Sequence, residues 1–315
     1  MKTKEITRLL PASFFLAVAM TIFVIVSQAS AAQPLRVVTT LSTFADLVKQ
    51  VGGDDVEVAY VAPPKFNPHF IEARPSDVLK IKKADLFVHA GLDLEAWRDP
   101  LLDAAGNPNA FPGQSGSLDL SKGIALLEVP DKPLNRLMGD IHLYGNPHYW
   151  LDPENGRLMA KTICDKLCEM DPAHCDPYHA RLESFLKKLD QKETEWKPLL
   201  AVLHGKELLA YHNEWPYLAS YAGFETRQFL EPKPGIPPSP KQLAFLQNYI
   251  AQKQIKAIIQ PTYYPKDNSG RLAQRTGARL VVICQNVGEL PQASDYLLMI
   301  DYDLRQIAAT MEAKP

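Results

Sequence analysis

Short apolar runs rich in β-branched residues recur along the chain at 36–40, 56–61, 85–89 and 124–129. They return at 207–211, 226–229, 256–260 and 279–284. Between them the apolar positions shift to helical spacing, as at Phe44, Leu47, Val48 and Val51, at Val78 and Ile81, and within 241–253 and 269–276. A period of two marks a strand and a period of three to four an amphipathic helix. Strands alternating with helices build parallel βαβ units. Because the pattern runs twice, it predicts an α/β protein of two lobes, each a mostly parallel four-stranded sheet flanked by helices.

The stretch 176–203 is different. It contains no Gly, and Pro stands only at 177 and 198, while Leu182, Phe185, Leu186, Leu189 and Trp196 recur at three-, four- and seven-residue steps. This predicts one long helix, with Asp176 as N-cap and Pro177 at the first helical position. About 20 helical residues span ~30 Å, so such a helix between lobes restricts their swing. An amphipathic helix packed on one lobe has the same periodicity. The expected divisions are 33–175 for the first lobe, 176–203 for the helix and 204–315 for the second lobe. The proline-rich run 231–240 predicts an extended, rigid loop ending in Ser239, an N-cap before Pro240. A PxxP-type ligand is the alternative for that run.

The first 32 residues are set apart by their own pattern. Lys2, Lys4 and Arg8 precede an apolar run from Phe14 to Val26, and Ala29-Ser30-Ala31 offers the small residues of a cleavage site. This predicts a secretory signal over 1–32 and an exported, periplasmic protein; an uncleaved anchor is the alternative. No Cys lies there to carry a lipid. The 315 residues have a net charge of −2, so no basic surface of a nucleic-acid binder is implied. With 46% hydrophobic residues, the chain has ample material for folded cores.

An oxidising compartment permits disulfides among the four Cys. Cys164 and Cys168 stand one helical turn apart, and Cys175 follows the break at Met170-Asp171-Pro172, so Cys175 can fold back onto either. A metal site is the rival reading, but the spacing matches no zinc ribbon. Cys284 reads as a buried thiol.

Of eight His, three are placed for chemistry. His69 follows the strand at 56–61, His212 follows the strand at 207–211, and His148 lies in a loop before a helix. In open parallel sheets, ligands bind outside the carboxyl ends of the strands, so the three are expected to converge in the cleft between the lobes. Neutral imidazoles bind zinc-like ions. His89, His142, His174, His179 and His204 are expected to be structural or exposed, and no HExxH pattern is present.

Three ordered motifs carry a resemblance. Asn67-Pro68-His69-Phe70-Ile71-Glu72-Ala73-Arg74-Pro75, Asn146-Pro147-His148-Tyr149-Trp150-Leu151-Asp152-Pro153 and Tyr211-His212-Asn213-Glu214-Trp215-Pro216 resemble the metal-binding motifs of the zinc/manganese ABC-transporter solute-binding proteins. The resemblance covers essentially the whole chain after residue 32. It implies a rigid interlobe helix, a metal site in the cleft with His69, His148 and His212 as ligands, and delivery of the ion to a membrane permease, for which a monomer suffices. Release of imidazole protons on binding implies weaker capture at acid pH.

The family's fourth ligand, an Asp just after the last strand, has no counterpart in Gln285-Asn286-Val287-Gly288-Glu289. Asp295 is the best substitute, with Glu289, Asp267 and water as rivals; the alternative role for Asp295 is to cap the final helix. Imidazoles favour zinc, because manganese stands at the bottom of the divalent affinity order. In the family a Glu in the third motif goes with manganese, so His212 implies Zn2+ as cargo, with Mn2+ as the alternative. The His-rich loop of many zinc-importing relatives is missing, since 129–144 holds only His142. Two other classes fit the same residues: a secreted zinc hydrolase using Glu72 or Glu214 as base, and an adhesin or metallochaperone. The resemblance argues for a binding protein and not an enzyme.

Overall fold

The computed structural model describes residues 33–131, 142–233 and 235–313; the export signal expected at 1–32 lies outside them. One parallel sheet is built from β1 (Leu35–Leu41), β2 (Val56–Ala62), β3 (Leu86–His89) and β4 (Ser117–Asp119), in the order β2-β1-β3-β4. The other has β5 (Glu207–Ala210), β6 (Glu225–Phe229), β7 (Ala257–Gln260) and β8 (Arg279–Val282), in the equivalent order β6-β5-β7-β8. The inner strands are covered on both faces, as β3 and β7 show by being buried at every position, which is why they read as unbroken apolar runs. Among the described residues, no helix is long and apolar enough to cross a membrane.

The fourth strand differs from expectation. It is the three residues at 117–119, whereas 124–129 joins no sheet. Glu128 has φ of 53°, a left-handed conformation that cannot continue a pleat. The segment instead docks on the loop of the second motif, where Leu127 accepts from the Asn146 amide at 2.9 Å.

Flanking the sheets are α1 (Ser42–Gly52), α2 (Pro75–Lys83), α3 (Arg98–Ala105), α4 (Pro153–Met170), α5 (Cys175–Leu203), α6 (Pro216–Ala222), α7 (Pro240–Lys253), α8 (Lys266–Thr276) and α9 (Tyr296–Glu312). Their starts obey local chemistry. The Asp152 side chain accepts from Glu154 N before Pro153, and Ser239 accepts from Gln242 N before Pro240, each satisfying a donor the helix leaves open.

Helix α5 has 29 residues, a rod of about 43 Å between the two sheets in sequence. It begins one residue before the expected Asp176, with no side-chain cap, because it continues from a 3-10 turn at Pro172–His174. Asp176 therefore lies in its first turn, where an acidic group still favours the helix dipole. Tyr178, Leu182, Phe185, Leu189 and Trp196 form its buried face, and Trp196 Nε1 donates to Asp301 of α9 at 3.0 Å. The Cys168–Cys175 disulfide closes the turn from α4 into α5, while Cys164 and Cys284 are buried free thiols.

A continuous core passes between the halves through Phe44, Trp150, Trp196 and Tyr296, and a smaller one around Leu209, Ile250 and Ile258 lies against the second sheet. Polar bonds join the halves as well. Trp150 Nε1 donates to the Gln285 carbonyl at 2.8 Å, and Ser42 Oγ donates to the Val287 carbonyl at 2.8 Å. Tyr296, fully buried, donates to the Trp150 carbonyl and packs directly over Gly156. A Cβ at Gly156 would overlap the Tyr296 ring. Gly156→Ala should therefore cost about 1–3 kcal/mol by overpacking, read as a lower denaturant midpoint with an unchanged slope.

Candidate metal centre

His69 and His212 lie past the carboxyl ends of β2 and β5, and His148 immediately precedes the 3-10 turn Tyr149–Leu151 that leads into α4. All three are buried. The structure brings them together: ring centroids are 5.1 Å apart for His69 and His148, 5.7 Å for His69 and His212, and 5.9 Å for His148 and His212. His69 Nε2 and His148 Nε2 approach to 3.1 Å. Two nitrogens each about 2.0–2.1 Å from one tetrahedral ion would stand about 3.3 Å apart.

The local sequence aims these rings. Asn67 Oδ1 accepts from the His69 amide at 3.0 Å, and Asn146 Oδ1 accepts from the His148 amide at 3.1 Å, so each Asn-Pro-His motif folds its Asn back onto its His. Asn146 Oδ1 also lies 2.9 Å from His148 Nδ1, which puts that ring's proton on Nδ1 and leaves Nε2 as a lone-pair donor. His212 Nδ1 lies 3.1 Å from Glu231 Oε2. Its Nε2 is buried with no hydrogen-bond partner among the described residues.

His142, expected to be structural or exposed, belongs to the same group. Its ring centroid is 5.0 Å from His69 and 5.9 Å from His148. His69, His142 and His148 each offer a ligand atom within 4.8 Å of the others. His142 Nδ1 lies 3.0 Å from Asp93 Oδ1, and its Nε2 atom is buried without a hydrogen-bond partner among the described residues. A carboxylate behind an imidazole fixes the tautomer and raises the basicity of the forward nitrogen, and both His142 and His212 have one.

The carboxylates proposed for the fourth position lie elsewhere. Asp295 is the N-cap of α9, accepting from Leu298 N at 2.8 Å, and lines a surface groove with Gln50, Lys188 and Lys192. The capping geometry takes the side chain that the sequence left between two roles. Glu289 is buried, but its Oε1 accepts from the Gln285 and Asn286 amides and its Oε2 from Thr262. It ties the loop after β8 to the loop after β7. Asp267 is exposed in the first turn of α8.

Burial keeps the His69 and His148 imidazoles neutral. Burial, followed by the neighbouring His142 and His212 rings, holds His69 well below the ordinary value of 6.5. Burial and then His69, His142 and His212 do the same to His148. Neutral rings are the form that binds metal. Beside them, Glu214 is fully buried and pushed well above its ordinary 4.5 by desolvation. Tyr263 Oη lies 2.8 Å from Glu214 Oε2 and 2.7 Å from Gln285 Oε1. Desolvation favours the protonated form of Glu214, which then donates to Tyr263 while Tyr263 donates to Gln285. Of the two bases considered for a hydrolase, Glu214 is thus committed to Tyr263 and Glu72 is exposed.

Comparison with known proteins follows the same outline. The family model described as "Zinc-uptake complex component A periplasmic" matches residues 37–310. The chain is 25% identical over 289 residues to the manganese ABC transporter substrate-binding lipoprotein PsaA of Streptococcus anginosus, across 89% of this chain and 90% of that protein. It is 26% identical over 252 residues to the high-affinity zinc uptake system protein ZnuA of Bacillus subtilis, across 79% and 77%. Among solved structures, a zinc-bound ZnuA lacking residues 138–173 superposes with a TM-score of 0.75 at 25% identity, covering 90% of this chain and all of that one.

A carboxyl whose folded pKa lies above its unfolded value keeps its stabilisation below about pH 4.5 and loses it as pH rises through the folded value. Glu214 is such a group. In Glu214→Gln that loss is removed, so the variant's denaturant midpoint relative to the parent should climb as pH rises above about 4.5. A pH-independent difference would mean that Glu214 is ionised in the fold.

Proposed function

Because the chain belongs to the periplasmic zinc-uptake complex component A family, we propose that it is the extracytoplasmic solute-binding protein of a metal ABC importer, with Zn2+ as its cargo. Its relatives are substrate-binding components of metal transporters. The observation that carries the reading is the convergence of three buried imidazoles and the half-buried His142, with the Nε2 atoms of His69 and His148 3.1 Å apart. His69, His148 and His212 are the ligands in this reading, and His142 takes the fourth place instead of Asp295. Residues 1–32 direct export and are removed.

The donor set bears on the choice of ion. Four nitrogen donors without a first-rank carboxylate favour zinc, whereas manganese prefers oxygen and binds most weakly in the divalent order. Glu231 and Asp93, behind His212 and His142, hold the Nδ1 protons and offset part of the ion's charge from one step away. His69 and His148 arrive neutral, so capture displaces few protons from them.

His69, His142 and His148 precede α5 in the chain and His212 follows it. An ion bound by all four links the lobes, and its binding energy favours the closed arrangement. Because α5 is one continuous helix with a buried face, the lobes respond by small tilts and loop shifts and not by wide hinge opening. The closed face is what a membrane permease would recognise.

A competition titration of metal-free protein tests this. One tight equivalent of zinc, poorly displaced by manganese, is expected. His148→Ala should weaken zinc binding by more than the roughly 10–100-fold cost of losing an outer partner, and Glu231→Gln by about that cost. His142→Ala should weaken it too, while Asp295→Asn, which retains a capping side chain, should leave it unchanged. Unchanged binding in His142→Ala would remove that residue from the ligand set; manganese bound more tightly than zinc would overturn the cargo.

A further inference from the structure

The turn between α4 and α5 gathers a second set of ligand-type side chains, outside the cleft. Cys164 and Cys168 stand four apart on α4, and Cys175 and His179 stand four apart on α5, a spacing that puts each pair on one helix face. The two faces meet. Cys164 Sγ is 3.6 Å from His179 Nδ1, and Cys168 Sγ is 3.8 Å from His179 Nε2. Cys164, Cys168 and His179 each offer a ligand atom within 4.8 Å of the others. Cys175 joins them through its bond to Cys168.

Three sulfurs and an imidazole are the donors of a Cys3His site, in which tetrahedral zinc is held structurally. The packing of α4 against α5 already brings them together, so little backbone movement stands between the disulfide and a ligand cage. Cys164 is buried, Cys168 and Cys175 are half-buried and His179 is exposed, so the cluster has a closed inner wall and a side open to solvent. Cys164 is otherwise unexplained: it is a thiol against a disulfide and an imidazole, where an aliphatic residue would fill the core without polar atoms.

We propose that reduction of the Cys168–Cys175 disulfide turns this corner into a second, redox-gated metal site. Cys164, Cys168, Cys175 and His179 then hold one thiophilic cation of the Zn2+ or Cd2+ type. A dithiol supplies the two electrons and two protons: its own disulfide forms, the Cys168–Cys175 bond breaks, and two thiols result. The cation displaces three thiol protons to solvent and binds three thiolates and one ring nitrogen. A thiol oxidant remakes the Cys168–Cys175 bond and expels the ion.

The test is a cadmium titration followed by the ultraviolet thiolate-to-metal charge-transfer band, which the cleft imidazoles do not produce. Oxidised protein should bind cadmium without the band. Protein reduced by a phosphine, which stands in for the dithiol without chelating cadmium, should take one further equivalent with the band, and a thiol oxidant should bleach it. Cys164→Ser should remove about a third of the band, the share of one sulfur in three. His179→Ala, an exposed change that leaves the fold intact, should weaken this equivalent by roughly tenfold or more and leave the cleft equivalent untouched. Reduced protein with no band, or a band unaffected by both substitutions, would overturn the proposal.

Discussion

Two imidazole nitrogens facing each other at 3.1 Å are the constraint on which the rest of the centre turns. Two lone pairs that close repel unless a cation or a proton lies between them. Burial disfavours a charged ring on either side, so without a cation the contact needs one neutral N–H turned toward the other ring's lone pair. The arrangement is therefore one that the surrounding protein must hold. It does so from behind the His148, His142 and His212 rings, through Asn146, Asp93 and Glu231, and from below through the ends of two parallel sheets of like topology.

Polar groups do much of the holding between the halves. The Thr43 hydroxyl accepts from Val287 N at 3.1 Å, and Asn146 Nδ2 donates to the Asn213 carbonyl at 2.9 Å. Asn146 thus serves both sides: it orients His148 and reaches the segment that follows His212. Glu289 has a comparable position in the loop after β8. It offers the cleft no open ligand oxygen, because four backbone and hydroxyl donors already occupy it, while burial lifts it to about 7.

Much of this was legible in the sequence, and the exceptions share a cause. The repeated strand and helix periods located both sheets, and Asn-Pro-His in two places marked rings presented on turns. What periodicity cannot register is packing between segments. The run at 124–129 is apolar because it packs beside the second motif, where the Tyr217 hydroxyl meets the Leu127 amide at 3.0 Å, and not because it pairs in a sheet. Strand β4 is too short to display a period. His142 lacked a motif of its own; its one signal was to stand six residues before His148 in the same irregular stretch. Asp295 had two compatible roles, and the open donors at the start of α9 settled which one its carboxylate takes. The disulfide partner of Cys175 likewise depended on how α4 and α5 pack, which spacing alone left open.

The distribution of the four rings along the chain has a mechanical consequence. Three are carried by the half that precedes α5 and one by the half that follows it. If the halves part, a cation at the centre loses a single tooth of its chelate and stays on the first half, now with an open coordination position. With the proposed ligand set, opening is a drop in denticity that readies the ion for an incoming donor, and the half that carries three of the rings is the one that presents it.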